Sequence, residues 1–201
     1  MTNAKSSDNR YIQILEIIYA IIFACAIAKM LDNIPDPKNF LGLPFKNWTA
    51  IIISVFVLIR FFFAPSKNIG LLVRKAEKSN SKFQKILIVF FDVLILLAHS
   101  FIFYLMCLEV FKEELDTFYR WFFILLCVNA VWLSLIWLRV RKEKNISHIA
   151  IWSINNIIFV TAYAVTYWIC TWHSWELWFF FASSNTVADL LLTYWAYLSA
   201  N

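Results

Sequence analysis

The chain has 201 residues and a net charge of +5, with 62% hydrophobic and only 15% charged residues. A soluble domain of this length carries about a quarter charged residues and far more glycine than the two present here. Together with several long apolar runs, this excludes a soluble enzyme domain, and the lack of short alternating, turn-rich segments excludes an outer-membrane barrel. What remains is an all-α integral membrane protein: one domain, residues 1–201, with six expected transmembrane helices.

A short polar tail precedes a first predicted span at 11–31, which carries Glu16 inside apolar sequence. Glu16 and the bulky Phe23 argue against a cleaved leader ending near Ala24-Cys25-Ala26, so the segment reads as a retained anchor. Pro35, Pro37, Gly42 and Pro44 mark a loop. The second span, 48–64, is barely long enough to cross and carries Arg60 near its end.

A basic connector containing Arg74, Lys75, Lys78, Lys82 and Lys85 leads into the third span, 84–111. The four lysines follow 3-4-3 spacing, so a helical extension of this span would carry them as one stripe. Asp92 and His99 lie seven apart in the span, on one helix face. A carboxyl group near the middle of a span costs about 2.5–3.5 kcal/mol on insertion scales, so it asks for a partner. An acidic turn precedes the fourth span, 117–138, which ends at Arg139, Arg141, Lys142 and Lys144. The fifth and sixth spans are expected at 147–171 and 176–198. No Gly or Pro occurs beyond Gly70, so nothing invites the broken helices or exposed carbonyls used by transporters and pores.

Loop charge sets the expected orientation. With both termini in the cytoplasm, 13 of the 18 Lys and Arg residues lie on that side, as the positive-inside rule requires. Trp48, Trp121, Trp172, Trp175 and Trp178 then form an outer aromatic belt, and Trp137, Trp152 and Trp195 an inner one. The expected location is a bacterial inner membrane.

Each predicted helix offers a polar group in its cytoplasmic half: Glu16, Ser54, Asp92, Asn129, Asn155 with Asn156, and Asp189. Lipid cannot satisfy such groups, so they are expected to face inward and meet. In the sixth span Ala182, Asn185, Thr186, Asp189 and Thr193 recur at helical spacing as an inward stripe. In the first, Ala20, Ala24 and Ala28 follow Glu16 at every fourth position, a row that lets helices approach closely. Glu16 is therefore expected to face a neighbouring helix, with Arg60 as its counter-ion. The layer is read either as interhelical hydrogen bonds or as an ion or proton path through Asp92, His99 and Asp189.

No nucleophile–base pair, phosphate loop or metal set is present, and no cofactor is expected. His173 and Glu176 are too few to hold a metal. The isolated cysteines read as small buried hydrophobes, leaving only a Cys107–Cys170 disulfide to consider. Asn47-Trp48-Thr49 fits the glycosylation pattern but touches the membrane boundary. The basic connector lacks interleaved aromatics, so nucleic-acid binding is not expected.

The Ile-, Phe-, Asn- and Lys-rich composition, short loops, and basic connectors at Arg74-Lys75 and Arg139 to Lys144 resemble the small membrane subunits of bacterial anti-phage systems such as Kiwa. That resemblance implies an inner-membrane subunit that senses phage attack and works with a cytoplasmic effector. The expected role is thus a non-enzymatic, oligomeric sensor or scaffold docking a cytoplasmic protein through its basic loops. The alternative is an ion or proton-coupled channel or transporter. A lysosomal-channel-like potassium channel would carry Phe-Ser-Asp in the first helix, where this chain has Leu15-Glu16-Ile17.

Overall fold

The computed structural model describes residues 4–34, 40–59, 82–140, 147–169 and 174–198. These form six helices and no strand among the described residues. They are α1 (Ala4–Asp32), α2 (Phe45–Ile59), α3 (Lys82–Glu109), α4 (Asp116–Val140), α5 (Ser147–Ala164) and α6 (Trp175–Leu198). Three stretches are long and apolar enough to cross a membrane: Phe90–Glu109, Asp116–Leu138 and Ile149–Ile169. The described part of α2 starts three residues before the expected span and is shorter than a crossing needs.

α3 and α4 are the centre. α4 packs along both α3 and α5, α1 packs on α3, and α6 packs on α5 with a lighter contact to α4. α2 enters at one end, where its first turn is tied to the α3–α4 connection. The Asn47 side-chain amide donates to the carbonyls of Val110 (2.9 Å) and Lys112 (3.2 Å). The Lys46 ammonium reaches the Glu113 carbonyl beside it. These bonds satisfy carbonyls that the end of α3 leaves without helical partners. From there Ala50, Ile53, Ser54 and Val57 recur at helical spacing as the buried face of α2.

Local chemistry explains the helix starts. Asp116 lies in the first turn of α4 and Glu176 in that of α6, where negative charge meets the positive end of the helix dipole. The Ser174 hydroxyl caps α6 by accepting from the Leu177 N–H at 3.3 Å.

The distribution of polarity is inverted relative to a soluble protein. Asp92, His99, Asn129, Asn156, Asn185 and Asp189 are all buried, whereas Phe90, Phe101, Val131, Ile158 and Leu191 are exposed. Such an arrangement suits a solvent of lipid tails, which cannot satisfy buried donors and acceptors but accepts an apolar exterior.

Three sequence expectations need correction. Ala20, Ala24 and Ala28 are exposed, and α1 instead turns Phe23 and Ala26 inward, with Phe23 stacked on Phe103 at 4.8 Å between ring centroids. Trp178 and Trp152, expected in interfacial belts, are buried within the bundle at 1% and 6% exposure. α5 does not stay α-helical to its end but opens into a π-turn over Val165–Ile169 without Gly or Pro. The Thr166 hydroxyl donates back to the carbonyls of Ala162 and Tyr163, both at 3.0 Å, where the helical ladder changes. The glycosylation pattern at Asn47, discounted from the sequence, is not a free site in the folded chain either: the amide is spent on the two α3–α4 carbonyls and the residue is only 3% exposed.

Cys107 is a buried thiol, while Cys170 lies outside the described residues.

Candidate functional site

The polar layer sits where four helices run side by side. Asp92 on α3 accepts from the Trp132 indole N–H of α4 at 3.3 Å, with both residues buried. Ser134 on α4 and Ser153 on α5 share a hydrogen bond of 2.7 Å between hydroxyls. The Asn155 amide on α5 donates to the Asp189 carboxyl group on α6 at 2.7 Å. Successive bonds therefore link α3 to α4, α4 to α5 and α5 to α6. At 1.5 Å of rise per residue, all six groups lie about 9–15 Å from the helix ends nearest the α4–α5 connection.

The two-residue offsets explain how single helices serve two neighbours. At 3.6 residues per turn, positions two apart point about 200° apart around the axis. Trp132 and Ser134 accordingly face α3 and α5 from opposite sides of α4. Ser153 and Asn155 do the same for α4 and α6 on α5. The three bonds are thus distributed over three separate interfaces.

His99 lies seven residues beyond Asp92 on the same face of α3 and is fully buried. Its Nδ1 lies 2.8 Å from the Ile95 carbonyl oxygen. A carbonyl can only accept, so Nδ1 carries the proton in this contact. The imidazole meets the Trp132 ring edge-to-face, with centroids 5.8 Å apart. One tryptophan therefore touches both Asp92 and His99.

The inward stripe of α6 is present: Ala182, Asn185, Thr186 and Asp189 are all buried. The Thr193 side chain lies outside the described residues. Asn129 is buried on α4 one turn from Trp132. Asn156 turns back on its own helix, donating to the Trp152 carbonyl at 2.8 Å. The residues that sequence reasoning missed are Trp132, Ser134 and Ser153. Trp132 looks like any apolar aromatic until Asp92 is placed opposite its N–H. The serines could have been found from their equal depth on antiparallel helices.

The expected Glu16–Arg60 pair falls outside the described set, since only the backbone of Glu16 is described and Arg60 is not. The same holds for the basic set: Arg74, Lys75, Lys78, Arg141, Lys142 and Lys144 lie outside the described residues, as do the side chains of Lys82, Lys85 and Arg139. His173 also lies outside them. Among the described residues no group of three or more His, Cys, Asp or Glu side chains could hold a metal ion.

No family model, curated protein or solved structure matches the chain. The site must therefore be read from its own geometry. Its groups can donate, accept and hold helices in register. Three of their bonds cross helix–helix interfaces, each a different one, while His99 and Asn156 bond back to their own helices.

Proposed function

We propose that this protein is a multi-pass inner-membrane scaffold or sensor subunit, with both termini cytoplasmic, whose polar layer fixes helix register. It docks a cytoplasmic protein through the basic connectors around Lys75 and Arg141. The observation that supports this reading is the placement of three interhelical bonds of the layer. The Asp92, Ser134 and Asp189 bonds occupy three different interfaces rather than converging on one axis. A relay or pore would favour convergence, because a proton or ion must pass between neighbouring groups. The protein makes no chemical step of its own on this reading. It assembles as a homo-oligomer in the bilayer. On the resemblance noted from the sequence, its partner would be the cytoplasmic effector of an anti-phage system.

The testing experiment compares two variant sets in cells that depend on the protein. Asp92→Asn and Asp189→Asn preserve size and hydrogen-bonding capacity, so they should retain most activity. Changing Lys75, Lys78, Lys82 and Lys85 together to Gln removes the attraction to an acidic partner while keeping polarity, and should abolish activity at normal membrane levels. Lost function in the Asp variants beside an intact lysine variant would reverse the reading.

A further inference from the structure

The edge where α4 and α5 run together ends in an exposed patch of charge and aromatic rings. Arg120 lies on the α4 surface, its guanidinium carbon 5.6 Å from the centroid of the Tyr167 ring on α5. Trp168 meets the same Tyr167 ring edge-on at 5.6 Å and is 66% exposed. The π-turn over Val165–Ile169 builds this patch. The Phe123 ring of α4 touches both Tyr163, at 4.4 Å, and Trp168, at 6.1 Å. In a regular α-helix, positions five apart point about 140° apart, and one ring would not meet both. The wider turn brings Trp168 round to the α4 side.

The charges on this edge are ordered by depth. Asp116 opens the apolar stretch Asp116–Leu138, and Arg120 follows one turn later on the same face, about 6 Å further in. An acid and a base at this spacing ordinarily pair with one another. Here the guanidinium is turned over the Tyr167 ring instead, and among the described residues neither Asp116 nor Arg120 takes part in an ion pair. Beyond Arg120 the exposed face of α4 is apolar, through Ile124 and Val131. From the helix end inward the edge therefore presents a carboxylate, a guanidinium and an apolar track. A phospholipid with a primary amine has the matching order: ammonium outermost, then phosphate, then acyl chains. We propose that this edge is a binding site for one phosphatidylethanolamine molecule. Arg120 donates to the phosphate from the edge of a guanidinium whose face rests on Tyr167. Asp116 accepts from the ammonium, Trp168 flanks the headgroup as interfacial tryptophans do, and an acyl chain lies along Ile124 and Val131. An anionic headgroup such as phosphatidylglycerol would satisfy Arg120 but bring no positive charge to Asp116.

The test uses the full chain, purified in detergent and supplied with equal amounts of phosphatidylethanolamine and phosphatidylglycerol, with bound lipid counted by native mass spectrometry. Wild type should retain phosphatidylethanolamine over phosphatidylglycerol by about threefold, the scale of one exposed ion pair. Asp116→Asn should shift retention toward phosphatidylglycerol, a gain that misfolding would not produce. Arg120→Gln should lower retention of both lipids. Lys112→Gln removes a cation at the same end of the bundle that is already paired with Glu109 at 2.8 Å, and should leave the preference unchanged. Equal retention of the two lipids by wild type, an unchanged preference in Asp116→Asn, or full retention in Arg120→Gln would overturn the site. So would a Lys112→Gln variant that loses lipid as Arg120→Gln does, because binding would then follow net charge rather than this edge.

Discussion

Trp132 joins Asp92 and His99 of α3: its indole nitrogen donates to the Asp92 carboxyl oxygen at 3.3 Å, and its ring packs edge-on against His99. The pairing lets a buried acid sit in the bundle with a donor from α4, in a place where lipid could offer none. Trp132→Phe keeps the aromatic contact and removes the donor. A double-mutant cycle of Trp132→Phe with Asp92→Leu should give a coupling of about 0.6–1.7 kcal/mol, the range of interhelical bonds in membrane proteins. Thermal or denaturant unfolding in detergent measures it. Additive losses would mean the bond contributes nothing.

The Ser134–Ser153 pair allows a cleaner contrast. Removing one hydroxyl leaves the other without its interhelical partner, so Ser134→Ala or Ser153→Ala alone should destabilise the bundle. Removing both replaces a matched polar pair by a matched apolar one, and the double variant should unfold within about 0.5 kcal/mol of wild type. The same unfolding assay reads all three. A double variant that loses the sum of the singles would contradict a pairwise role.

Asn47 carries the junction between α2 and the α3–α4 connection. Asn47→Ala should destabilise the protein by about 1–3 kcal/mol, because the Val110 and Lys112 carbonyls lose their donor in a buried setting. Thr49→Ala breaks the glycosylation pattern equally but spares those two bonds. It should therefore be the milder change, and equal losses would show that the amide bonds are not what matters.

Topology is tested by labelling. In a background lacking Cys25, Cys107, Cys127 and Cys170, a cysteine replacing Leu41, whose side chain is 85% exposed, should react with an impermeant reagent added outside. A cysteine at position 80 should be protected until the membrane is opened, as the positive-inside rule requires. Labelling of both from outside would end the proposed arrangement.

Much of the fold was legible in the sequence because apolar length and loop chemistry are strong signals. The helix boundaries of α3, α4 and α6 follow from them, and the inward stripe of α6 follows from Asn185 and Asp189. The facing of α1 was not legible. Between Glu16 and Lys29 the helix is apolar all round, so no polar face marks its exterior, and Ala24 and Phe23 are equally at home in lipid or in a core. Trp132 was passed over, and the burial of Trp152 and Trp178 was missed, for a related reason. An indole N–H can be satisfied at the membrane boundary or by a buried acceptor, and composition alone does not choose between them. The π-turn escaped because no Gly or Pro marks it; the feature that accompanies it is a threonine hydroxyl bonding backward within the helix.

The central claim is that the polar layer packs rather than conducts, and proton flux in liposomes tests it most directly. The purified protein, reconstituted with an imposed pH gradient and a potassium–valinomycin clamp, should collapse that gradient no faster than protein-free vesicles. The Asp92→Asn and Asp189→Asn variants should be indistinguishable from wild type. A protein-dependent flux that either substitution abolishes would contradict the account and make those carboxyl groups a relay.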